Sequence, residues 1–81
     1  MIISQNEETI IPNVSMLNFD AITITEPEKD IDYYILCVII NGKSYKLGLF
    51  KKRSNAYTER NRLIKYISEP TSSDFLINEY D

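Results

Sequence analysis

The chain has 81 residues, no histidine, no tryptophan, one cysteine and a net charge of −3. A chain of this size buries only about 60–65% of its unfolded surface, which allows one two-layer core and leaves little room for a large cofactor site. The missing histidine removes the commonest general base and the commonest zinc ligand, and the lone Cys37 rules out an intramolecular disulfide.

In chain order, "MIISQ" is a short apolar start that suits an edge strand. It has neither the basic segment nor the apolar run of a signal peptide. Ile10 and Ile11 suit a second short strand, which Pro12 confines to an edge or ends. From "NFDAITIT" the alternation predicts a strand over roughly 20–25, with Ile22 and Ile24 on one side and Thr23 and Thr25 on the other. "EPEKDID" is a polar, proline-containing turn. "YYILCVII" and "KSYKLGLF" then flank Asn41-Gly42, a strong hairpin signal, because a type I′ turn needs positive φ at both central residues.

A two-residue loop pairs Ile40 with Lys43, Ile39 with Ser44, Val38 with Tyr45 and Cys37 with Lys46. Continued without a break, it pairs Leu36 with Leu47, Ile35 with Gly48, Tyr34 with Leu49 and Tyr33 with Phe50. Side chains alternate across a sheet. One face then holds Tyr34, Leu36, Val38, Ile40, Tyr45, Leu47 and Leu49, the better core. The other holds Tyr33, Ile35, Cys37, Ile39 and Phe50, diluted by Ser44, Lys46 and Gly48. Cys37 reads as a small hydrophobe in this setting.

After "KKRSN", with Ser54 as the N-cap, an amphipathic helix of about three turns is expected. Its buried stripe is Ala56, Leu63, Ile64 and Ile67, with Arg60 on the centre line, its head snorkelling to the rim. Glu69-Pro70 stops it. Phe75, Ile77 and Tyr80 add a last strand or lie as an arm. The expected fold is α+β: a small antiparallel β-meander of three to five strands around the Asn41-Gly42 hairpin, with one α-helix packed on one face. Residues 1–81 form a single domain in this reading, with 70–81 as a potential flexible C-terminal arm.

The net charge hides a segregation. Residues 1–42 carry seven acids against Lys29 alone, residues 43–67 carry eight basic residues against Glu59, and residues 68–81 carry four acids and no base. Lys51, Lys52, Arg53, Arg62 and Lys65, with Tyr57 and Tyr66 nearby, are candidates for binding an anion or an acidic partner. The bland alternative is a solvated face neutralised by the chain's own acidic ends, which a pI near 4.9 favours over a dedicated nucleic-acid domain. Ser72, Ser73 and Asp74 lack a histidine for a nucleophilic relay. The alternating acids of "EPEKDID" lack the glycine and terminal glutamate of an EF-hand loop. No catalytic residue, metal site or cofactor is expected, and the chain is taken as non-enzymatic.

The layout resembles small, functionally uncharacterised proteins encoded by phages and prophages of low-GC Gram-positive bacteria. The residues that carry the resemblance are "IISQ" at the start, "NFD" at 18–20 leading into a strand, "NG" at 41–42, and "LGLF" at 47–50 leading into a helix with Ala56 in its first turn. The resemblance covers most of the chain. It implies an accessory protein of a mobile element, acting in the cytoplasm of a bacterial host cell, and no mechanism.

The second sheet face, with Tyr33, Ile35, Ile39 and Phe50 as candidate interface residues, is either covered by "MIISQ" and "FLINEY" or open to a partner. The leading expectation is a protein-interaction module that binds a host or bacterial defence-system protein, through the sheet face, the acidic ends or both, and acts as its inhibitor. The alternatives are a small nucleic-acid or nucleotide binder using the basic segment 43–67, and a self-associating accessory, simplest as a homodimer. No membrane partner is expected, since the longest apolar run, Tyr33 to Ile40, is too short to span a bilayer.

Overall fold

A computed structural model describes residues 1–13, 17–69 and 73–80. The elements are β1 (Ile2–Ile3), β2 (Ile10–Ile11), a 3₁₀ turn (Phe19–Ala21), β3 (Ile22–Thr25), β4 (Tyr34–Ile40), β5 (Lys43–Phe50), α1 (Arg53–Ser68) and β6 (Phe75–Leu76). Two three-stranded sheets form, ordered β3-β4-β5 and β2-β1-β6. With α1 packed on them, the fold is α+β, as the sequence predicts.

The larger sheet is the expected antiparallel meander. Asn41 (φ 53°) and Gly42 (φ 79°) both take positive φ, as a type I′ turn demands. The four pairs nearest the turn match the sequence-derived register: Ile40 with Lys43, Ile39 with Ser44, Val38 with Tyr45, Cys37 with Lys46. Beyond them the ladder departs from expectation. Leu36 pairs with Gly48, not Leu47, Ile35 with Leu49, and Tyr34 with Phe50. Leu47 is the extra residue of a β-bulge, and a bulge inverts the facing of everything beyond it. Phe50 therefore lies on the core face, fully buried, and Leu49 is exposed. Assigning Phe50 to the second face is corrected on this ground.

The core collects Ile22 from β3, Leu36 and Val38 from β4, Leu47 and Phe50 from β5, and Ala56 and Leu63 from α1. The small sheet joins on the same side: Ile2, Ile11, Phe75 and Ile77 belong to the same cluster. Its β1–β6 pair is parallel, Ile2 opposite Phe75 and Ile3 opposite Leu76, where an all-antiparallel meander was expected. The β1–β2 turn is held by buried Ser4. Its N–H donates to Thr9 O (3.0 Å), and its hydroxyl donates to Asn6 Oδ1 (2.7 Å) while accepting from the Thr9 N–H (3.1 Å).

Gln5 fastens the small sheet to the outer edge of β5. Its N–H donates to Leu47 O (2.8 Å), and its side-chain Oε1 accepts from the Leu49 N–H (2.8 Å). Its Nε2 donates to Leu49 O (3.3 Å) and to Asn78 O (2.8 Å). The side-chain amide thus does what another backbone residue would do in a ladder. It can come so close because residue 48 is glycine: a Cβ there would lie 2.9 Å from Gln5 Cδ and 3.1 Å from Ile77 Cγ2.

The helix starts earlier than expected, at Arg53, with Lys52 at the N-cap position and no side-chain cap bond. Ser54 lies inside the first turn, so it is not the cap. Its sixteen residues exceed the expected three turns, and it stops after Ser68, as expected. Arg60 behaves as a snorkelling residue, its Nε donating to Ile22 O (3.0 Å). Residues 20 and 21, expected to open β3, belong to the 3₁₀ turn instead. Of the segment 70–81, residues 70–72 and 81 lie outside the described residues, Ser72 of the Ser-Ser-Asp stretch among them. Ser73 accepts the Tyr66 hydroxyl at its carbonyl (2.8 Å), and Asp74 lies 3.5 Å from the N-terminal ammonium. Among the described residues no helix is long and apolar enough to cross a membrane.

Candidate functional site

Two groups of residues were singled out from sequence, and the fold treats them differently. The first is the second face of the β3-β4-β5 sheet. Alternation along each strand, with the bulge included, places Thr23 and Thr25 of β3, Ile35, Cys37 and Ile39 of β4, and Ser44, Lys46 and Leu49 of β5 there. Cross-strand rows run Thr25–Ile35–Leu49 and Thr23–Cys37–Lys46, with Ile39 beside Ser44. Tyr33 precedes β4 at the Ile35 end.

None of these residues belongs to the core cluster, whose β4 members are Leu36, Val38, Tyr34 and Ile40. Segments 1–5 and 75–80, the candidate covers for this face, pack on the helix side or along the β5 edge instead. Tyr33 is 39%, Ile39 42% and Leu49 45% exposed. Ile35 and Cys37, in the central strand, are buried. Three of the four expected interface residues, Tyr33, Ile35 and Ile39, thus share one face. Phe50 is replaced by Leu49, and the signal for the exchange is Gly48, since an interior strand glycine often marks a bulge. A depression of about 280 Å³ lined by Gln5, Asn6, Lys46, Leu47, Gly48 and Leu49 borders the face on its β5 side.

The edges of this sheet are less available than its face. At β3, the Ile22 N–H returns to Phe19 O and its carbonyl accepts Arg60. At β5, Gln5 occupies the polar groups of Leu47 and Leu49. Both devices blunt strand addition.

The second group, the basic residues, is not brought together. Lys51, Lys52 and Arg53 stand at the start of α1. Arg62 is nine residues further along, about 13 Å at 1.5 Å per residue, with Lys65 beyond it. Arg53 faces Glu26 across 3.6 Å and stacks on Tyr57, 4.5 Å from the ring centre. Arg62 is committed more fully. Its Nε and Nη2 bond Glu59 Oε1 and Oε2 at 2.8 and 2.9 Å. Nη2 also donates to Leu76 O (2.8 Å), and the guanidinium sits 4.2 Å over the Phe75 ring. Lys51, Lys52 and Lys65 are exposed.

Sequence reasoning missed Glu59. It is fully buried, sharing the inward stripe of α1 with Ala56 and Leu63. Its carboxylate accepts from Arg62, from the Asn78 N–H and from the Tyr80 hydroxyl (3.3 Å), so one buried anion fastens residues 75–80 to the helix. The hydrogen bond that Arg62 donates to Glu59 is the main cause holding the Arg62 pKa above its ordinary value, against a smaller opposing effect of burial. The spacing 56, 59, 63 was the available signal, masked by the rarity of buried glutamate. Every partner of this carboxylate is internal, which makes it a structural clamp. Among the described residues no cluster of His, Cys, Asp or Glu could hold a metal ion. Comparison with protein-family models, curated proteins and solved structures finds no match.

Proposed function

We propose that this chain is a non-enzymatic interaction module that docks a partner protein on the open face of the β3-β4-β5 sheet. The observation that carries this reading is the exposed apolar surface of Tyr33, Ile39 and Leu49 around the buried Ile35 and Cys37, none of which joins the hydrophobic cluster under the helix. Apolar patches on small proteins tend to mark interfaces. The resemblance to phage and prophage proteins supplies the context: a host or defence-system protein as partner, met in the bacterial cytoplasm.

The test is retention of a protein from a low-GC Gram-positive extract by immobilised chain and by a Tyr33→Lys, Ile39→Lys double variant that remains folded by circular dichroism. Retention by the parent alone is expected. Equal retention by both, or by neither, overturns the reading.

The nucleic-acid alternative rests on Lys51, Lys52, Lys65 and Arg53, which stays exposed beside Glu26, since Arg62 is bound to Glu59 and Leu76. A salt-dependent shift of a labelled oligonucleotide, lost in Lys51→Glu, Lys52→Glu, would favour it over the sheet face.

A further inference from the structure

Resting on that reading, we infer that the occupant of the open face is an amphipathic helix of the partner, about four turns long, with a carboxylate set in its apolar stripe to meet Lys46. Size points to a helix. β4 is seven residues long, about 23 Å, and the opposite face of the same sheet already receives α1, whose sixteen residues span about 24 Å. A second helix of that length would complete a three-layer sandwich. An added strand fits less well, because Arg60 and Gln5 occupy the sheet's edges.

Charge points to a foreign helix and not a second copy. Lys46 is the one charged side chain that β3, β4 and β5 place on this face, in the row of Thr23 and Cys37. Glu26 alternates to the other side and faces Arg53. A two-fold interface uses one patch twice. It would bring two lysines into a small apolar contact with no carboxylate from the face to offset them, an arrangement that costs affinity. A partner bearing one acid among apolar residues pairs the ammonium and covers Tyr33, Ile39 and Leu49 together. Thr23, Thr25 and Ser44 supply hydroxyls at the rim.

The test uses two synthetic 18-residue helical peptides with the same leucine stripe, one with glutamate and one with lysine at its centre. They are titrated into the ¹⁵N-labelled chain, its Lys46→Glu variant and the Tyr33→Lys, Ile39→Lys variant. The glutamate peptide is expected to shift the amides of Ile35, Cys37, Ile39, Lys46 and Leu49. It should bind the parent roughly five-fold tighter than the lysine peptide, the effect of about one exposed ion pair. Lys46→Glu should reverse the order, and the double variant should lose both. Equal binding of the two peptides by the parent, or binding that survives in the double variant, overturns the inference. So does the absence of amide shifts at millimolar peptide. A dimer by light scattering that the double variant dissociates overturns it in favour of a second copy. If the parent retains an extract protein that the double variant releases while the peptides fail, the helix assignment falls and the docking face stands. If the extract test also fails, both fall.

Discussion

Replacing Gly48 by alanine probes the joint between the two sheets. The new methyl group would lie 2.9 Å from Gln5 Cδ, 3.1 Å from Gln5 Nε2 and 3.1 Å from Ile77 Cγ2. Ile77 is fully enclosed and cannot retreat. Gln5 can, but only by giving up bonds its amide makes to Leu49 and Asn78. Overpacking of this kind costs about 1–3 kcal/mol, and each hydrogen bond surrendered adds about 1 kcal/mol. Alanine recovers roughly 0.5–1 kcal/mol through the lower entropy of the unfolded chain. The net expectation is a loss of about 2 kcal/mol, roughly 10 °C in Tm for a domain of this size.

Urea unfolding followed by circular dichroism measures it, with Gln5→Ala and the Gly48→Ala, Gln5→Ala double variant alongside. Shortening Gln5 makes room for the methyl group, leaving only the contact with Ile77. The cost of Gly48→Ala should therefore shrink by about 1 kcal/mol in the Gln5→Ala background, a coupling that separated sites do not show. A neutral Gly48→Ala, or strictly additive costs, would refute the close approach and the side-chain bridge built on it.

Glu59→Gln should destabilise by about 2–4 kcal/mol, since it removes a buried charge partner and weakens the anchor at Asn78. Hydrogen exchange at the Asn78 amide should accelerate more than at core amides of β4, and uniform acceleration would contradict the clamp. Because the Arg62 pKa is raised in the folded chain by its bond to Glu59, its contribution is not eroded as pH rises from neutral toward the unfolded value and is lost only as pH climbs through the still higher folded one. Stability should therefore show no loss from this pair up to about pH 10, whereas Arg62→Lys, with an ordinary pKa of about 10.4, should lose stability relative to the parent as pH approaches about 11. A constant difference between the two across that range would tell against it. Lys52→Asp places a capping carboxylate at an extended residue (φ −110°, ψ 133°) before a first turn that has no acid. It should raise stability by about 1 kcal/mol, while Ser54→Ala should change it by less than about 0.5 kcal/mol. A large loss from Ser54→Ala would return the cap to Ser54.

What the sequence determined by itself was local. Asn41-Gly42 fixed the hairpin because positive φ at two successive positions tolerates few other residues. The Ile-Thr alternation separated the two sides of β3, and the apolar spacing of Ala56 and Leu63 oriented the helix. Tertiary structure decided the rest. Gln5 and Ile77 approach β5 so closely that residue 48 has room for no side chain, and the bulge beside it sends Phe50 inward and Leu49 outward against the simple alternation. Glu59 is buried because Arg62, Asn78 and Tyr80 converge on it, and two of those lie nineteen and twenty-one residues away. The strands β1 and β6 are two residues each, too short to carry a pattern, and pair in parallel because the chain ends meet over one core. The open face follows from the same event: once both ends settle on the helix side, nothing among the described residues is left to cover Tyr33, Ile39 and Leu49.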